Sequence, residues 1–241
     1  MNNTKVCVAG IWHISYVPEI IKTIEESAKV RGTGIAKRSH EYIEARIIEG
    51  KAIIALKDNE FAGFCYIETW GDKQFVANSG LIVKEEYRGE GIAKLIKKAA
   101  FNHSRERFPD AKIFGLTTGL AVMKINSELG YRPVTFSELT DDDDFWKGCQ
   151  SCVNYDILTR TERKHCLCTG MLFDPAWKAK IDESTPHPSI PEHSLQVYGR
   201  WFKFKQHVLL RLKDLKKTDK TDKAGSVSGR FRIGININLF K

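Results

Sequence analysis

The stretch from Gly80 to Ala93, GLIVKEEYRGEGIA, sets the architecture. Leu81, Ile82 and Val83 read as the end of an apolar strand, Arg88-Gly89-Glu90-Gly91 as a turn, and Ile92 and Ala93 as the first residues of an amphipathic helix that continues KLIKKAAFNHSRERF. A turn of this kind points successive backbone N–H groups outward at the positive end of a helix. Gly91, lacking a Cβ, lets a phosphate approach the main chain. Strand, glycine turn and helix together predict an anion cradle built from backbone.

Outward from this stretch, strands are predicted over 5–11, 52–56, 61–69, 75–83, 112–118 and 131–135. Helices are predicted over 17–30, from Ser39 through Ile48, from the end of the glycine turn through Phe108 and over 122–129, with Gly130 as a C-cap. Lys57-Asp58-Asn59-Glu60 and Gly71-Asp72-Lys73 are short polar connections suited to antiparallel hairpins.

The wording of the glycine turn carries more than its geometry. Val83, Tyr87-Arg88-Gly89, Gly91 and Ala93 resemble the Arg-x-x-Gly-x-Gly/Ala signature of the GNAT acyltransferases, over about residues 3–140. That resemblance implies an α/β (α+β) fold with a mixed, mostly antiparallel central sheet flanked by helices. It also implies that Leu81, Ile82, Val83, Arg88, Gly89, Glu90, Gly91, Ile92 and Ala93 hold coenzyme A. The cosubstrate would be acetyl-CoA or succinyl-CoA. A second frame, Leu116-Thr117-Thr118, Glu128, Gly130-Tyr131, Pro133-Val134 and Leu139, resembles the acyltransferase domain of N-acylglutamate synthases, which open arginine biosynthesis; here the segment between Thr118 and Gly130 is about two residues longer.

The chemistry implied is attack of an amine on a thioester carbonyl, so a base and a means of stabilising the leaving thiolate are required. Glu68, at the end of a strand, is the candidate base, against the alternative of an exposed strand-end carboxylate. By spacing back from Gly130, Asn126 stands where many of these enzymes carry a tyrosine acid. It is read as a catalytic or coenzyme A-binding residue, against a solvated helix-surface asparagine. A glutamate acceptor brings two carboxylates that need cations. Lys37 and Arg38, in the basic loop 31–38, and Arg46 are the candidates, against a solvated basic loop.

Beyond residue 140 the reading changes. Asp141 to Asp144 marks a boundary, and the segment 141–175 holds Cys149-x2-Cys152 and His165-Cys166-Leu167-Cys168. Four thiols in two close pairs fit a structural zinc, with buried reduced thiols and a redox or iron–sulfur role as alternatives. Residues 176–197, rich in Pro, Ser and His, read as a linker, 198–217 as a basic amphipathic helix for protein docking, and 218–241 as a flexible tail.

Composition limits the remaining classes. The chain has 241 residues, 42% hydrophobic and 28% charged, enough for one sizeable core and a small appendage. The net charge is +8, but residues 196–241 alone net +9, so the remainder is near neutral and does not call for nucleic acid. The N-terminus lacks the build of a signal peptide and no apolar run reaches membrane-spanning length, so a cytoplasmic location with reduced cysteines is expected. The expected partner is a small-molecule amine acceptor, with homo-oligomerisation left open. Other amines (protein, antibiotic, polyamine) and a nonenzymatic nucleic-acid-binding module are the competing readings.

Overall fold

The computed structural model describes residues 4–31 and 37–177. The expected helix at 198–217 and the tail 218–241 lie outside the described residues, as does nearly all of the expected linker. Seven strands form one sheet in the order β1-β2-β3-β4-β5-β7-β6: β1 (Thr4–Val8), β2 (Ala52–Lys57), β3 (Glu60–Trp70), β4 (Phe75–Val83), β5 (Lys112–Thr117), β6 (Arg132–Val134) and β7 (Thr169–Phe173). Every neighbouring pair is antiparallel except β4 and β5, which are parallel. A parallel pair needs a crossover, and the helix after the glycine turn supplies it.

Side-chain alternation along the strands separates two faces. On one face Ile53, Cys65, Ile67, Val76 and Ile113 pack with α3 (Ile92–Arg107) and with Met123 of α4 (Leu120–Glu128). On the other, Ile54, Phe64, Tyr66 and Ile82 pack with α1 (Val17–Arg31) and α2 (His40–Ile48). Ser39 caps α2 as expected, its Oγ accepting from the Tyr42 N–H at 3.2 Å.

Further along that second face, Ala77, Phe114 and Leu172 pack with α5 (Asp143–Lys147) and α6 (Tyr155–Arg160) through Phe136, Trp146 and Leu158. This differs from the expectation of a separate cysteine-containing extension. β7 is inserted between β5 and β6, pairing Ile113↔Phe173 and Arg132↔Leu172, so the segment after residue 140 completes the sheet. The five residues TGMLF form a strand buried on both faces, which has no alternation for sequence reasoning to detect.

Two irregularities in β4 position the site. The register with β3 steps from Phe64↔Ile82 to Tyr66↔Ser79, so β4 carries extra length at Gly80 and Leu81. Gly80 has φ 66°, and a Cβ there would lie 2.5 Å from the Tyr66 ring, so only glycine fits. In addition, β4 and β5 are paired only from Phe75↔Lys112 to Ala77↔Phe114; beyond Asn78 and Gly115 they diverge. The sheet opens into a V at its centre.

Candidate active site

A cavity of about 440 Å³ occupies the V. Its lining comes from both faces of the sheet: Arg38, Tyr42 and Glu68 from the α1–α2 side, Lys97, Val122 and Asn126 from the α3–α4 side, and Phe145, Cys149 and Cys168 from the late segment. A ligand could therefore be approached from the two sides at once. The bulge residues Gly80 and Leu81 also line it, with no register partner on either neighbouring strand.

The glycine turn forms the geometry that its sequence predicts. Gly89 and Gly91 have φ of 89° and 83°, α3 begins at Ile92 with Gly91 as its N-cap, and a Cβ at either glycine would meet nothing within 4 Å. Open space before a helix N-terminus, reached by left-handed backbone, suits a phosphate. Two side-chain contacts hold the turn: Lys57 Nζ pairs with Glu90 at 2.7 Å, and Arg88 Nη2 donates to Ser27 Oγ at 3.3 Å. Among the nine residues expected to hold coenzyme A, Leu81 and Ile82 line the cavity, Arg88 to Gly91 form the turn beyond it, and Ile92 and Ala93 open α3, with Ile92 buried in the core.

The acceptor side is a chain of aromatic and charged groups. Arg38 Nε donates to Tyr66 Oη at 2.7 Å, its guanidinium lies over the Tyr42 and Tyr66 rings, and it makes no ion pair among the described residues. Tyr42 Oη donates to Glu68 Oε2 at 2.5 Å, and Arg46 Nη2 pairs with Glu68 Oε1 at 2.7 Å. Burial, then the neighbouring Tyr66, raises the Tyr42 phenol well above its ordinary range, so Tyr42 stays a donor at neutral pH. Lys37 is exposed and lines the cavity beside Arg38. Arg46 is not among the lining residues; its fork is occupied by Glu68 and Glu49.

Asn126 is 1% exposed, and its Oδ1 is buried with no hydrogen-bond partner. A solvated surface asparagine is thereby excluded. An acceptor oxygen left unpaired on a cavity wall costs stability unless a ligand donates to it.

The four cysteines expected as a zinc set come together around one recess, and zinc is not supported there. Among the described residues no group of three or more His, Cys, Asp or Glu side chains is placed to hold a metal ion. Cys149, Cys152, Cys166 and Cys168 instead gather around a small apolar recess with Leu116, Phe136, Trp146 and Leu158. Burial, then Cys152, pushes the Cys149 thiol up to about 11, and a hydrogen bond with Cys166 together with burial raises Cys168 well beyond its ordinary range. Cys149 and Cys168 are thereby held as neutral thiols.

Sequence reasoning missed Lys97 and Tyr131. Lys97 is 2% exposed, and its Nζ donates to Asn78 Oδ1 at 3.2 Å; Tyr131 Oη donates to the same oxygen at 2.9 Å. The signal was present, since Lys97 shares a helix face with Ala100 and Ser104, both buried.

Residues 37–122 match the model of the acetyltransferase (GNAT) family. No curated protein sequence matches the chain significantly. The chain is similar in fold to N-acetylglutamate synthase from Neisseria gonorrhoeae complexed with coenzyme A and N-acetyl-glutamate (16% identity, TM-score 0.51), covering 72% of this chain and 35% of that one. It thus spans about a third of that enzyme's length. Rv2747 from Mycobacterium tuberculosis in complex with CoA and NLQ is similar at 15% identity and TM-score 0.51, over 70% of this chain and 98% of that one. yncA from Salmonella typhimurium, a putative acetyltransferase with its cofactor acetyl-CoA, is similar at 11% identity and TM-score 0.50, over 78% and 99% of the two chains. The glycine turn and the bulged, diverging β4 both fall within residues 37–122, the stretch that matches the GNAT acetyltransferase family model.

Proposed function

We propose that this domain transfers an acyl group from coenzyme A to the amine of a small carboxylate-bearing acceptor, with L-glutamate the best fit. The observation that carries the acceptor class is Arg38: a half-buried guanidinium on the cavity wall, steadied by two tyrosine rings and with no ion-paired carboxylate among the described residues. A planar fork with free N–H groups pairs well with a carboxylate, and Lys37 adds a second cation at the rim. The fold shared with an N-acetylglutamate synthase supports the same reading, and would put the product in arginine biosynthesis.

The residues divide the work as follows. Backbone N–H groups at Gly89–Ala93 receive the pyrophosphate of coenzyme A, and Asn126 Oδ1 accepts from an amide N–H of its pantetheine arm. The bulge at Gly80 and Leu81 offers unpaired backbone to the thioester oxygen as the tetrahedral intermediate forms. Of the two carboxylates on the cavity wall, Asp144 is exposed and paired with Lys147, which leaves Glu68 to take the amine's proton. Tyr42 and Arg46 hold Glu68 in place.

The test is an acceptor panel of L-glutamate, L-lysine, spermidine and a lysine-containing peptide, with free CoA release and product mass as readouts. Turnover with glutamate above the other amines supports the proposal. Preference for spermidine or the peptide overturns the acceptor class.

A further inference from the structure

We infer that Lys97 is the donor-selecting residue of the cavity, and that the acyl-CoA used carries a carboxylate at the far end of its acyl chain. This deepens, and rests on, the reading of the V as an acyl-CoA site.

The argument begins with an unbalanced charge. An ammonium has three donors, and that of Lys97 spends one, on Asn78. No carboxylate pairs with it among the described residues, although it is fully buried. Its other neighbours are the Tyr131 ring, 5.2 Å from Nζ, and the buried Cys65 thiol. Desolvation lowers the Lys97 pKa to about 8, which still leaves the group mainly charged at neutral pH. A buried cation without an anion is costly, and a ligand carboxylate would supply the missing charge.

Position identifies which part of the ligand that is. Lys97 reaches the V from the α3 side and lines the cavity with Asn78 and Gly115, the residues at which β4 and β5 part. A Cβ on Gly115 would lie 3.9 Å from Nζ and 3.2 Å from the Asn78 carbonyl, so the glycine keeps this apex open. The bulge at Gly80, where the thioester oxygen would sit, is two residues further along β4, about 7 Å away. A four-carbon diacid chain starting at the bulge and directed into the apex spans that gap and delivers its carboxylate to Nζ. An acetyl group is too short to do so. Arg38 does not compete for this role, because it lies on the opposite face with Tyr66 and Tyr42.

The experiment is calorimetric binding of acetyl-CoA, butyryl-CoA and succinyl-CoA to the full chain without acceptor. Butyryl-CoA matches the chain length of succinyl-CoA but lacks its charge. The wild type is expected to bind succinyl-CoA about 10- to 100-fold tighter than butyryl-CoA, the range of a charged hydrogen bond. In Lys97→Met that ratio falls to about 1. Equal binding of the two four-carbon thioesters by wild type overturns the inference, whether or not Lys97→Met folds, as does a Lys97→Met ratio that stays at the wild-type value. Binding of none of the three, nor of free CoA, overturns the acyl-CoA reading itself along with it.

Discussion

The glycine turn and the apex of the V bind by opposite means. The turn at Arg88 to Gly91 is exposed, has no buried side chain and presents backbone, whereas the apex presents the buried side chains of Asn78 and Lys97, with Tyr131 bonded to Asn78 behind them. The first depends on a few consecutive residues with left-handed glycines. The second depends on a strand, a helix and the residue after a second helix, 19 and 53 positions apart from Asn78. On the proposed reading, backbone serves the part of the ligand common to every acyl-CoA and side chains serve the part that differs.

Breaking the turn has the largest expected effect. Gly91→Val forces a β-branched residue to φ 83° and fills the open space before α3, so affinity for any acyl-CoA falls about 100-fold, the loss of two charge-assisted hydrogen bonds. The fold survives, because nothing packs within 4 Å of the position, and thermal melting checks this. Gly80→Ala acts through packing. Its Cβ would meet the Tyr66 ring at 2.5 Å, so destabilisation of about 2–3 kcal/mol is expected in denaturant titration, with loss of turnover.

Smaller effects sharpen the contrast. Arg38→Met is expected to raise the KM for glutamate about 10- to 50-fold, with acyl-CoA binding kept within about twofold. Lys97→Met is expected to raise the melting temperature of the unliganded chain at pH 7 by a few degrees, about 1 kcal/mol, since it removes a buried charge without a partner. The pH dependence has a definite sign. The folded pKa of Lys97 is lowered to about 8 from 10.5, so between those values the unfolded chain binds more protons and stability rises with pH through this window. Lys97→Met removes that rise, and melting curves at pH 7, 8, 9 and 10 measure it.

This contrast also explains what could be read from the sequence. The glycine turn, the hairpins and the α2 cap depend on neighbouring residues, and they form where expected. Contacts such as Arg38 with Tyr66 or Tyr42 with Glu68 join residues 28 and 26 apart, and no local pattern announces them. The surroundings of the cysteines in 141–175 were illegible for a related reason. The spacing of four cysteines fits zinc, but their surroundings, Phe136, Trp146, Leu158 and Leu116, are brought together only when β7 enters the sheet. A lysine on an amphipathic helix is ordinarily solvated, so its place on the face of Ala100 and Ser104 was the one local sign that Lys97 is buried.

The most direct test of the account is the rate of free CoA release by the full chain with saturating acyl-CoA, with and without L-glutamate, in wild type and in Arg38→Met. The account predicts release that depends on glutamate in the wild type and that needs about 10- to 50-fold more glutamate in the variant. Release that ignores glutamate, or a variant with an unchanged glutamate requirement, would contradict it.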